Sequence, residues 1–293
     1  SDMKNLLEST QIATIFLDNE LRVTNFTPAS TDLFHLTAFD EGRPITHIKA
    51  RIRYDELEGD ARRVLRTLAP VEREVGDPAT DARFAARVLP YRSTDNVIAG
   101  AVVTFVDVTH RRQAEEVLRA SEERQAFLLK LSDALRAEPS EDAIANRALH
   151  MLSDELRLDR CYVGIYRLAE DRGDFPYQVG NNRVPPLPDG VRLSDFPDAL
   201  QVAFHRTLVI DDVAEAEGLT DTDRQNLSGL GLRAIVAATL RRGESNPLWS
   251  IVAVSAAPRR WTPGNVALIE EVVERTWTAI ERARVEGALR ESE

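Results

Sequence analysis

The chain has 293 residues, 43% apolar and 29% charged, a balance that supports packed globular folds and sets a prior of about two domains. Thirty-seven basic residues against 48 acidic ones leave a net charge of −11, the wrong sign for a general binder of nucleic acid or anionic membrane. The single cysteine, Cys161, excludes an internal disulfide framework and a multi-cysteine metal site, and no apolar run approaches the ~20 residues needed to span a bilayer.

Ala13–Asp18 is a short apolar run closed by the turn pair Asp18-Asn19, and Leu21–Phe26 follows it, which together read as a hairpin. Pro28-Ala29 opens a short helical stretch through Leu33, Phe34 and Leu36. Asp55–Leu68 then places Leu57, Ala61, Val64, Leu65 and Leu68 at helical spacing. Three strands are expected next, at Val71–Val75, Arg83–Tyr91 and Val97–Val108, the last two antiparallel across the turn Ser93-Thr94-Asp95-Asn96. Two strands, short helices and three strands make an α+β domain.

From Thr109 to Arg136 there is neither Gly nor Pro, and Arg, Glu, Ala and Leu dominate, so this is a long helix. Ala114, Leu118, Ser121, Gln125, Leu128, Ser132 and Leu135 alternate spacings of four and three, a heptad seam with three polar layers. The seam predicts a dimeric coiled coil whose polar layers let register change at low cost. A linker helix packed on its own domain is the competing reading of the same stripe.

Ser140 is placed to cap a helix that runs to about Leu156, with Glu141 and Asp142 in its first turn. Strands are expected at Cys161–Leu168, Phe175–Val179, Thr207–Ile210, Ala234–Arg241 and Trp249–Ala256, with Gly180–Asp189 as a loop. Thr262-Pro263 starts the last helix, whose second seam holds Val266, Ile269, Val273, Thr276, Ile280 and Ala283. The phrase Glu115–Glu122 returns at Glu286–Glu293, matching at Glu, Leu, Arg, Ser and Glu. Its first copy leads into a further domain, so a natural continuation is expected after the second. Ser1-Asp2 ahead of Met3 likewise reads as an addition to the natural start. The expected domains are 1–109, a helical linker 110–138, 139–285, and a new linker from 286–293.

The first domain resembles a PAS sensor domain of the type found in chemotaxis methylesterase/methyltransferase fusions and hybrid sensor kinases. The resemblance rests on Ala13–Asp18, Phe26-Thr27-Pro28-Ala29, Arg87–Arg92 and Gly100 through Thr104–Thr109. It implies a five-stranded antiparallel sheet around a cavity, and gives Asp107 and Thr109 the role of coupling the last strand to the exit helix. The second domain resembles a GAF domain of bacterial sensor kinases, through Asp159–Val163, Val209–Val213, Leu230–Ala234, and Trp261-Thr262-Pro263 leading to Glu274–Trp277. It implies a six-stranded antiparallel sheet flanked by helices with a cavity on the other face.

Chemistry is sparse. His35, His47, His110, His150 and His205 form no HxxxH or HExxH pattern, and there is no GxGxxG, Walker or GxSxG motif, so no catalytic role and no metal site are expected for this chain. A lone His35 as haem ligand is weaker than a packed or surface histidine. Leu193-Ser194-Asp195-Phe196-Pro197 is similar to a stretch lining the bilin pocket of phytochromes. The family's attachment cysteine is absent, with Phe204-His205 in the later position, so covalent bilin is not expected. Residues 1–138 hold no cysteine to link a flavin. The cyclic-nucleotide signature of GAF domains has no match. Cys161, Asp195, His205 and Arg233 are the candidate cavity residues, with Arg206, Arg241 and Arg242 as further cations for an anionic ligand. Cofactor identity stays open.

The resulting expectation is a cytoplasmic sensory PAS–GAF module of a bacterial signalling protein, a histidine kinase in its full form. It would act as a homodimer through helices 110–136 and 263–290, with signal coupling at Asp107, Thr109, Ser121 and Gln125, and with no nucleic-acid or membrane partner. Two alternatives are a spacer whose cavities are filled by side chains and a photosensor with a non-covalent chromophore.

Overall fold

The computed structural model describes residues 12–93, 95–240 and 248–292. The chain divides into two compact units, residues 1–119 and 120–293.

The first unit carries β1 (Ala13–Asp18), β2 (Val23–Phe26), three 3-10 turns, α1 (Leu57–Thr67), β3 (Val71–Gly76), β4 (Arg83–Arg92) and β5 (Ile98–Asp107). The strands form one antiparallel sheet in the order β2-β1-β5-β4-β3. Alternation explains it: Ala13, Ile15 and Leu17, then Phe84, Ala86 and Val88, then Ala101, Val103 and Phe105 all point to one buried face. The register Ile15↔Val103↔Val88 brings these three rows side by side. α1 covers them with Leu57, Ala61 and Val64, and the turns between β2 and α1 add Leu33, Phe34, Leu36 and Ile45. Pro90 is tolerated in β4 because β3 stops pairing at Val88, leaving Pro90 without a ladder partner on that side. The stretch after Pro28 forms a 3-10 turn, Pro28–Asp32, and β2 starts at Val23 because Leu21 takes the left-handed turn conformation at φ 60.

α2 (Thr109–Ala137) is one continuous helix, and the second unit begins within it. There follow α3 (Glu141–Leu156), β6 (Arg160–Arg167), β7 (Arg172–Gly180), β8 (Gly190–Arg192), α4 (Pro197–His205), β9 (Leu208–Ile210), α5 (Asp221–Gly229), β10 (Ala234–Leu240), β11 (Leu248–Ser255) and α6 (Pro263–Ser292). The sheet order is β8-β7-β6-β11-β10-β9, antiparallel throughout. Its strands are apolar on both sides because both faces are covered. One face holds Cys161, Val163, Val236, Ile251 and Ala253 against α2, α3 and α6. The other holds Tyr162, Tyr166, Ile235, Ala237 and Val252 against α4, α5 and the loop at 181–189. Neither α5 nor β8 follows from hydrophobic periodicity, since α5 is almost wholly polar and β8 has three residues.

The heptad seams are corrected at their buried layers, while Ala114 and Leu118 near the start of α2 stay exposed. Leu128 and Leu135 are 2% and 1% exposed inside the second unit's own core, and Ile269, Thr276 and Ile280 are each 0% exposed there. The stripes are covered by the sheet face of their own unit, which leaves nothing of these layers for a second chain. Four side chains of the stretch 120–138, Phe127, Leu128, Leu131 and Leu135, belong to the core of the second unit. No described helix is long and apolar enough to cross a membrane.

Candidate functional site

Two places in the fold bear on signalling, the first through residues expected from the sequence and the second through its free volume. The first is the end of the PAS-like sheet. The Thr109 amide donates to Asp107 Oδ1 at 2.8 Å, and Thr109 Oγ1 accepts from the Arg83 amide at 2.9 Å. Val108 N–H donates to the Arg83 carbonyl at 2.9 Å. The last strand, the first turn of α2 and the start of β4 are therefore knotted at one point. The Thr109 side chain and amide hold the Asp107 carboxyl below the usual carboxylate range. One turn further along, Arg112 pairs with Glu74 of β3, and that contact raises the Arg112 guanidinium further above its ordinary value. Any change in the separation of β3, β4 and β5 at this end must move the base of α2.

The second place is the face of the second sheet away from α2 and α6. Tyr162, Tyr166, Phe175, Leu193, Phe196, Ala199, Ala203 and Ile235 enclose an apolar cavity of about 50 Å³. That is room for one or two waters' worth of volume, against roughly 300–1,000 Å³ in ordinary small-molecule sites. No charged side chain among the described residues lines it. The Tyr166 hydroxyl lies 3.0 Å from Ser250 Oγ, and a Cβ on Gly164 would stand 2.5 Å from that same hydroxyl. Gly164 thus makes space for the Tyr166 side chain, and burial pushes both tyrosines above their ordinary value. Phe175 stacks edge-on against Tyr162 at 5.1 Å, and Phe204 against Tyr166 at 5.5 Å, so aromatic rings occupy the space a ligand would take.

Two buried polar anchors hold the cover of this sheet face, one between α4 and α5 at the cavity and one under the 181–189 loop beside it. Asp223, 0% exposed, accepts from Thr220 N and Thr220 Oγ1 at the start of α5. It also accepts from the Asp198 and Ala199 amides at the start of α4. The 181–189 loop is tied down by Arg160, which is 5% exposed and donates through Nε and Nη2 to the Val184 carbonyl at 3.1 and 2.8 Å. A Cβ on Gly180 would meet Arg160 Cζ at 2.8 Å, so glycine there admits the guanidinium.

None of the four predicted cavity residues lines this space. Cys161 alternates to the helix-covered face, fully buried, and desolvation pushes its thiol far above the usual range. Asp195 is exposed and does not cap α4; its carbonyl accepts from Asn226 Nδ2 at 2.7 Å. His205 is exposed at the end of α4, with Nδ1 2.7 Å from the Gln201 carbonyl. Arg233 sits at the start of β10 in a two-point pair with Asp212, at 2.6 and 2.9 Å. Arg206 is exposed, and Arg241 and Arg242 lie outside the described residues. Of the proposed coupling layers, Ser121 is half-buried and Gln125 exposed. Ser132, the third polar layer, accepts from Arg275 of α6 at 2.8 Å. His35 is exposed outside the first unit's core, away from any interior ligand. Asp223 is the anchor that periodicity does not reveal, although Thr220-x-x-Asp223 spells a capping box.

Comparison with known proteins agrees with the two folds. Residues 3–109 match the PAS domain model and residues 140–280 the GAF domain model. The chain carries a PAS domain followed by a GAF domain, which makes it a sensory module of the signal-transduction type. Over 115 residues, 39% of its length, it is 39% identical to an uncharacterized 104.1 kDa protein in the hypE 3′ region of Rhodobacter capsulatus, of which it spans 12%. A bacteriophytochrome from the photosynthetic bacterium R. palustris superposes with a TM-score of 0.50 at 14% identity, over 96% of this chain and 60% of that one. The phycoerythrobilin-bound GAF domain from a cyanobacterial phytochrome gives 0.47 at 16%, over 56% and 97%. Identities this low show shared fold alone.

Proposed function

We propose that the chain is the regulatory sensor segment of a bacterial signalling protein, a histidine kinase in its full form, and is itself without catalytic activity. It relays a conformational signal through α2 and α6 to an output domain. The observation that carries this reading is the knot of Asp107, Thr109 and Arg83, which gives one sheet a rigid grip on a 29-residue helix. A grip of that kind converts small strand movements into helix movements, and a sensor needs such a converter.

The module acts as a homodimer in this reading, with a pairing face that keeps Leu118 of the heptad seam and leaves out its buried layers Leu128 and Leu135. The exposed apolar residues on these helices are Val117, Leu118 and Leu129 on α2 and Val285 on α6, all at least 60% exposed. Leu118→Glu with Leu129→Glu is expected to shift the purified protein from dimer to monomer in sedimentation velocity. Unchanged sedimentation refutes this face. In the full protein, Thr109→Ala is expected to uncouple output from stimulus while leaving basal output intact, and normal regulation in that variant refutes the relay.

A second reading, in which the GAF interior is a filled spacer, is supported by the 50 Å³ of free volume. The likeness to bacteriophytochromes keeps a non-covalent chromophore as an outcome of the same test. An absorption spectrum of the purified protein, with and without added biliverdin, separates them. A new visible band means that α4 and α5 part to admit the pigment, and a flat spectrum favours the spacer.

A further inference from the structure

We propose that α2 and α6 are laced together directly within residues 120–293, so that a shift of the entering helix reaches the leaving helix without passing through the cavity. This deepens the relay reading and rests on it.

The lacing follows one order along both helices. Arg124 of α2 faces Glu271 of α6 at 4.0 Å, and Glu271 also holds Arg275 at 3.6 Å. Arg275 Nη1 donates to Ser132 Oγ at 2.8 Å, while that hydroxyl donates to the Leu128 carbonyl one turn back at 2.9 Å. Arg282 Nη2 then reaches the Leu135 and Arg136 carbonyls at 3.3 and 3.5 Å. The residues ascend together, from 124 to 136 on α2 and from 271 to 282 on α6, so the two segments run parallel.

Each contact has a distinct mechanical role. Arg282 caps the last carbonyls of α2, which have no partner inside their own helix, and a cation at a helix C-terminus is favoured by the dipole as well. The end of α2 is therefore bonded to the middle of α6. Ser132 is the midpoint, and its position in the α2 stripe places a polar group where the seam predicted a weak layer. Arg284 adds a side anchor, gripping Glu141 at the start of α3 through Nε and Nη2 at 2.9 and 2.8 Å.

The side chains bridge an open groove of about 710 Å³ whose walls include Ser132, Leu135 and Arg136 on one side and Glu271, Arg275 and Arg282 on the other. A close-packed core transmits strain as well, and the guanidinium bonds add direct, directional contacts between α2 and α6 across the groove. The cavity lies on the opposite face of the sheet, so the laced pair is separated from it by the full thickness of β6, β10 and β11.

The test uses the whole chain and hydrogen exchange. Gln125→Gly, on the exposed side of α2, loosens that helix and is expected to raise exchange about fivefold at 129–137, the equivalent of glycine's helix penalty. The lacing predicts a matching rise at 279–289 of α6 with β10 and β11 unchanged. In an Arg275→Leu, Arg282→Leu background the α6 response to Gln125→Gly is expected to vanish. Arg275→Lys with Arg282→Lys, which keeps charge but loses the forked reach, should weaken it and guards against a folding artefact. An α6 response that persists undiminished in the unlaced chain, one that is absent in the parent, or one that appears first in β10 and β11 overturns the proposal. Because no output is measured, each of these results leaves the relay reading to its own test in the full protein.

Discussion

Removing the carboxylate of Asp223 tests whether the cavity wall stands on that one side chain. Four donors converge on it: Thr220 Oγ1 at 2.8 Å, Asp198 N at 3.2 Å, Thr220 N at 3.3 Å and Ala199 N at 3.5 Å. The two longest are weak, and the two shortest are part-buried bonds to the carboxyl group worth about 1.5 kcal/mol each. Asp223→Ala is therefore expected to cost about 3 kcal/mol, near the sum of two helix N-caps. Asp223→Asn keeps one acceptor oxygen and should cost about half as much. Urea unfolding followed by tryptophan fluorescence reads the GAF domain alone, because Trp249, Trp261 and Trp277 all lie within it. A cost below about 1 kcal/mol for Asp223→Ala would mean that α4 and α5 are held by apolar contacts, and would refute the argument from shared capping.

Cys161 is 0% exposed with its thiol raised by burial, so a thiol reagent should label the native protein negligibly and the unfolded protein fully; rapid native labelling contradicts the assigned strand face. Asp60, 4% exposed, is held below its ordinary value by the Arg73 guanidinium, with Tyr54 donating to it at 3.0 Å. Its folded value is the lower one, so the stability it contributes is present above the unfolded value near ~3.9 and lost as pH falls through the folded value. Asp60→Asn should flatten the acid limb of PAS unfolding, and an unchanged limb would exclude the pair as its cause. Gly231 sits at φ 77 with Pro185 Cδ 2.9 Å from where a Cβ would be, whereas Gly218 sits at φ 82 in open space. Gly218→Ala should cost about 1–2 kcal/mol for the left-handed backbone alone. Gly231→Ala should cost at least about 1 kcal/mol more in the same denaturation assay, and equal costs would remove Pro185 as a steric partner.

Much of this architecture is legible in residue order. The apolar runs Ala13–Asp18 and Gly100–Asp107 are legible as strands, while the choice of Ile15, Leu17, Val103 and Phe105 for the interior comes from the fold, because their neighbours Phe16, Val102 and Val106 are apolar too. Alternation likewise fails to say which way Cys161 points, because β6 is buried on both faces and its pattern is continuous. Heptad spacing finds the stripe of Leu128 and Leu135 but carries no information about whether the covering surface belongs to the same chain or another. Here the nearest cover was the sheet of the domain itself. Residue type marks His205 and Arg233, but type alone does not place a side chain inside a cavity. The role of Asp223 is hidden for the opposite reason: its local capping box is visible, but its bond to α4 joins residues 24 and 25 positions apart, a separation that only the folded chain closes.

The burial of α6 sets the scale of any motion it transmits. Ile269, Val272, Val273 and Ile280 are core residues, so the helix cannot leave its bed without unfolding the domain. The last described grip on the helix is that of Arg284 on Glu141, and beyond it each residue of helix adds ~1.5 Å of lever. Pivoting there, a tilt of about 10° displaces the helix by ~0.3 Å for each residue of that lever. The stroke at any point along the helix therefore grows with its distance from Arg284, and every four residues add ~1 Å to it while turning the presented face by about 40°.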